Sequence, residues 1–141
     1  MLPAVRIFER DRGEVQFAEG GGFMEIDEAI MAFSQSEKLK AGLIWVSQAL
    51  NLLEGLPGGE KVGGEKVIHA VLNMLGHELK LAETVGGDHG WEEVEPYIEK
   101  ALVMVNSGVG VEANAHLSKA LSKITNIAHE SMSMLKEKGL L

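Results

Sequence analysis

The chain has 141 residues, 45% of them hydrophobic and 24% charged, which is the composition of one ordinary globular domain and not of a disordered segment. Thirteen Lys and Arg against twenty-one Asp and Glu leave a net charge of −8, a field that repels phosphate backbones and excludes nucleic acid as an expected partner. The absence of cysteine excludes disulfides, thiolate metal ligands and cysteine nucleophiles; no run is apolar enough for a signal peptide or a membrane span, so the expected setting is cytoplasmic, with no membrane partner.

Residues 1–24 read as an N-terminal arm and 25–141 as a helical bundle domain. In the arm, AVRIFERDRGEVQF alternates weakly around a polar turn at Arg10 to Gly13, the pattern of a β-hairpin that joins Val5 to Phe8 with Val15 to Phe17. An isolated hairpin is marginal, so it is expected to pack on the bundle, pair with another copy, or remain an extended arm. All three arginines, Arg6, Arg10 and Arg12, fall here, and Gly20-Gly21-Gly22 separates the arm from the helical region.

From Asp27 to Glu54 the apolar residues recur at helical spacing, with Ser34 and Ser36 as places where a fresh helix could start. Leu39, Leu43, Trp45, Val46, Ala49, Leu50 and Leu53 are expected to share the buried arc. GLPGGEKVGG, Gly55 to Gly64, holds five glycines and a proline and reads as a loop. A second helix is expected over about Glu65 to Val85, burying Val67, Met74 and Leu81 together with Ile68, Leu72, Leu75 and Leu79. A third runs from Trp91 to Asn106, where Pro96 either starts the helix or bends its first turn. The fourth runs from Val111 to Lys138. Together these blocks predict an all-α, up-and-down four-helix bundle.

Shifting the chain by 52 residues sets WVSQALNLLEG, from Trp45, on YIEKALVMVNS, from Tyr97, and sets Leu72, Leu75, Gly76, His77 and Glu78 on Ile124, Ile127, Ala128, His129 and Glu130. This suggests a duplicated helical hairpin. The second helices disagree in phase, with Glu78 in the middle of an apolar arc and Glu130 on a polar face. An isolated charge inside a bundle is costly, so Glu78 is expected beside Lys80 of a neighbour, a histidine or a subunit boundary.

Five histidines are present, and Glu65 precedes His69, and Glu112 His116, by four residues, so that each pair shares a helix face. Carboxylate-bridged di-iron bundles use Glu-x-x-His instead, and no metal or cofactor is expected. Ala115-His116-Leu117-Ser118-Lys119-Ala120 resembles, over six residues, the phosphorylatable segment of histidine phosphotransfer domains, which are acidic helical bundles with an exposed histidine and a lysine three residues on. Ser118 and Ala120 depart from that pattern, and His116 lies on the fourth helix and not the second. Glu92, Glu93 and Glu95, with Glu83 and Asp88, resemble half of the magnesium site of helical nucleotide pyrophosphohydrolases; no second dense cluster completes it, and an acidic first helical turn accounts for the same residues. Neither a phosphate-binding loop nor a nucleophile elbow is present.

No catalytic residue is assigned, and Glu78, His77, His129, Glu130 and His116 are the candidates for a functional or interface site. The apolar arcs are wider than one neighbour requires, and surplus apolar surface marks association. The expected function is a non-enzymatic, homo-oligomeric protein–protein interaction or scaffold module, a homodimer in its simplest form, with the N-terminal segment available to a protein partner. The alternative is a histidine phosphotransfer-like or metal-dependent enzyme built in the bundle.

Overall fold

The computed structural model describes the backbone of two strands, Val5–Glu9 (β1) and Val15–Glu19 (β2), and the whole of residues 24–141. The strands pair antiparallel, with Val5 opposite Glu19 and Glu9 opposite Val15. The turn between them, Gly20 to Gly22 and the packing of the arm lie outside the described residues.

Four helices make the bundle: α1 (Ile26–Leu53), α2 (Gly58–Val85), α3 (Glu95–Asn106) and α4 (Ala113–Glu137), with single 3₁₀ turns at Trp91–Glu93 and Gly110–Glu112. The short connections force antiparallel neighbours. α1 packs on α2 and α4, and α3 packs on the same two, so the helices succeed one another around a closed square.

Burial obeys a stricter rule than the arcs expected from a 3.6-residue period. In α1 the buried residues Ala29, Ala32, Ser36, Leu39, Leu43, Val46, Leu50 and Leu53 alternate steps of three and four, with Gln35 and Gly42 buried beside them on the side that meets α2. α2 continues with Glu65, Ile68, Leu72, Leu75, Leu79 and Ala82, the third helical block with Trp91, Val94, Ile98, Ala101 and Val105, and α4 with Ala113, Leu117, Ala120, Ile124, Ile127 and Ser131. This is the a/d seam of a heptad repeat, the pattern that lets long helices pack at shallow angles with interdigitating side chains. A two-position seam is narrower than half a helix, and it overturns several expected burials. Trp45 sits beside the seam and is 69% exposed; Val67, Met74 and Leu81 are likewise exposed.

One expected break is absent and another is shorter than expected. α1 runs unbroken through Ser34 and Ser36, the Ser36 hydroxyl donating to the Phe33 carbonyl at 3.0 Å inside the helix. Of the glycine-rich run expected as a loop, Gly55 to Pro57 do form the turn between α1 and α2, but Gly58 to Gly64 are the first two turns of α2, entered from Pro57 at φ −58°. Glycine costs a helix about 1 kcal/mol per residue, but packing against α1 outweighs that preference, and at Gly64 the approach is so close that a Cβ would collide with the side chain of Leu53. Pro96 lies in the opening turn of α3, where its missing N–H costs nothing.

The end of α3 is closed by Gly108 at φ +80°: Val109 N–H donates to Met104 O at 3.0 Å and Gly108 N–H to Val105 O at 3.2 Å, the paired bonds of a Schellman cap. Gly139 ends α4 in the same way.

Candidate functional site

Glu78 lies on α2 where that helix meets α1, and its carboxylate pairs with the Lys38 ammonium of α1. Gln35 of α1 donates to the Glu78 carbonyl at 3.3 Å. The charge is therefore answered within the chain, by a lysine not among its expected partners, and at 29% side-chain exposure Glu78 is not in the middle of a buried arc. His77, one residue earlier, is exposed on the α2–α3 side, near Lys80, which bonds Glu95 at 3.1 Å. This contact holds the Lys80 pKa above its ordinary value.

His116, His129 and Glu130 are all on α4. Glu130 is partly desolvated, which raises its pKa, while the fields of His89 and His129 pull it back. Because α2 and α4 are diagonal in the square, His77 and Glu78 do not meet His129 and Glu130. Among the described residues no three His, Asp or Glu side chains converge on a point where they could hold a metal ion. The acidic turn near α3 is taken up by lysines: Glu93 bonds Lys123 at 3.3 Å, and Glu95 bonds Lys80.

Two features went unread in the sequence. His89, in the α2–α3 connection, has a fully buried side chain with Nε2 3.4 Å from the Glu28 carboxylate of α1. Glu65 is only 8% exposed and occupies a seam position, seven residues before Leu72. That heptad spacing was the signal that could have found it. Glu65 lines a cleft of about 560 Å³ with His69, so this i, i+4 pair does share a face.

The largest departure from a finished monomer surface is on the outside of α1 and α2. On α1, Met31, Trp45 and Leu52 share one heptad position, with Lys38 completing the series; on α2, Val67, Met74 and Leu81 share the equivalent position. Each lies one turn before a residue at the α1–α2 contact, as Lys38 precedes Gly42 and Met74 precedes Glu78, so both rows flank that seam on its solvent side. Gly42 lies against Leu75 and Gly64 against Leu53, which brings Leu52 near the height of Val67 and Trp45 near that of Met74. The two rows therefore flank the same α1–α2 seam, which the Lys38–Glu78 pair crosses.

Comparison with protein-family models, curated proteins and solved structures finds no match.

Proposed function

We propose that this chain is a non-enzymatic helical-bundle protein that works as a homo-oligomeric protein–protein interaction or scaffold module, two copies meeting across the exposed α1–α2 face. One observation carries the reading: Trp45, Leu52, Val67 and Met74 are between 63% and 71% exposed while the core beneath them is already filled. Met31 and Leu81, each close to half exposed, extend the two rows, and large apolar side chains left in solvent along one side of a monomer mark an association surface. A chain of net charge −8 repels its own copies, but between Met31 and Leu52 on α1 and between Val67 and Leu81 on α2 the charges on these rows and at the seam beside them are Lys38 and Glu78, which neutralise each other, so copies can meet there without like-charge opposition.

The burial register supports a duplicated hairpin in the second helices, though not in the first, where buried Leu50 falls on half-buried Leu102 and half-buried Ala49 on buried Ala101. Under the 52-residue shift Leu72, Leu75 and Leu79 fall on Ile124, Ile127 and Ser131, all buried. The α1–α2 copy would then be the one that kept an adhesive outer face.

Sedimentation equilibrium at micromolar concentration is expected to give twice the 15.2 kDa chain mass. Trp45→Glu combined with Met74→Glu should return it to a monomer with the same helical circular dichroism, because both side chains lie outside the core. A wild-type monomer, or a dimer untouched by the double substitution, would contradict the reading.

A further inference from the structure

The outer rows of α1 and α2 are matched in height as well as in character. Gly42 lies against Leu75 and Gly64 against Leu53, and the two helices run antiparallel. Lys38 is therefore level with Glu78, Trp45 with Met74 and Leu52 with Val67, each to within about one helical turn. The Lys38 and Glu78 side chains are 53% and 29% exposed, so their ion pair still reaches solvent. Ser34, Ala41 and Gln48, the next positions around the outer side of α1, carry no charge.

The ion pair thus lies across the hairpin, positive on α1 and negative on α2. A second copy of the same face can be laid on it by a two-fold axis in one of two directions. With the axis across the helices, α1 covers the partner's α1. Lysine then opposes lysine and glutamate opposes glutamate, or, with the copies slid along each other, the charges are pressed against apolar side chains; both are costly. With the axis along the helices, α1 covers the partner's α2 at the same height. Lys38 then meets the partner's Glu78, Leu52 meets the partner's Val67, and Trp45 meets the partner's Met74 in a favourable sulfur–aromatic contact.

We propose that the two copies of the dimer inferred above, on which this step rests, join in parallel, with Lys38 of each against the partner's Glu78. Both α1 helices then start at one end of the assembly, and both copies of residues 1–24 lead into it there.

The chain has no cysteine, so Gly59→Cys, at a position with open space around its Cβ, accepts a single nitroxide at the α1–α2 turn end. Dipolar electron spin resonance should give a label separation below about 35 Å; an antiparallel pair centred on Trp45 and Met74 would set the labels about 45 Å apart or more. By sedimentation, Lys38→Glu and Glu78→Lys should each weaken dimerisation at least about tenfold, because like charges then face each other twice. An equimolar mixture of the two variants should recover the dimer. Neither chain in that mixture regains its own ion pair, so recovery can come only from contact between copies. A wild-type monomer would remove the dimer itself. A dimer with a longer label separation, with undiminished affinity in either single variant, or with no recovery on mixing would overturn the parallel arrangement alone.

Discussion

The two hairpins of this bundle are alike inside and unlike outside. α1–α2 and α3–α4 both bury residues at alternating steps of three and four, and both contribute to one apolar core. Their outer surfaces differ: α1 and α2 expose Met31, Trp45, Leu52, Val67, Met74 and Leu81, whereas α3 and α4 expose a single large apolar side chain, Val103. The seam sets what the fold needs, and everything beside the seam is free to serve another purpose. A wide apolar arc is thus the sum of two separate stripes, one buried in the core and one left on the solvent side, which the proposed dimer would use.

That separation is tested most sharply by removing leucines from each stripe in the monomeric Trp45→Glu/Met74→Glu background. Leu72→Ala, at a position with no exposure, should cost about 3 kcal/mol of unfolding free energy. Leu52→Ala, at a position 71% exposed, should change it by less than about 0.5 kcal/mol. Denaturant titration measures both, and equal costs would mean that the outer row belongs to the fold.

A smaller effect separates the glycines of α2. Gly64→Ala forces the end of the Leu53 side chain to move, a cost of overpacking that is set against the helix-propensity gain of about 1 kcal/mol, and should destabilise by up to about 2 kcal/mol. Gly59 has nothing near its absent Cβ, so Gly59→Ala should stabilise by about 0.5–1 kcal/mol through helix propensity. Opposite signs in thermal melts would confirm that only Gly64 is required by close helix approach.

The smallest effect contrasts Glu78 with Glu130, which the 52-residue shift superimposes. Glu78 is answered by Lys38, while Glu130 has its pKa raised, chiefly by desolvation. A raised folded-state value means that the folded chain holds this proton more tightly than the unfolded one. The associated stability is present below the unfolded value of 4.5 and is lost as the pH rises through the folded value. Glu130→Gln should therefore leave stability unchanged in acid and raise it slightly at neutral pH; the side chain remains largely in solvent, so the gain is small. A gain that grows on acidification would reverse the assignment.

Much of the candidate site could not be read in sequence, for reasons that particular residues make plain. Trp45 and Val46 are neighbours with equal claim to burial, and a 3.6-residue period places both on one arc. Only the demand that four helices keep a continuous mutual seam selects Val46 and rejects Trp45. Glu78 was recognised as a charge needing an answer, but its partner is forty residues away on α1, and chain proximity could point only to Lys80 and the histidines. Glu65 was noticed for its spacing to His69, whereas its burial depends on α3 ending beside it.

By itself the sequence determined that this is an all-α bundle of four helices, because apolar residues return once per turn in blocks separated by glycine and proline, and each block can leave water only by lying against the others. The tertiary structure decided that the glycines from Gly58 to Gly64 are helical, that Trp45 faces solvent, and that Glu65 lines a cleft. Each of those outcomes depends on how closely a second helix approaches, and that distance is fixed by packing across the bundle and is not encoded in any local stretch of chain.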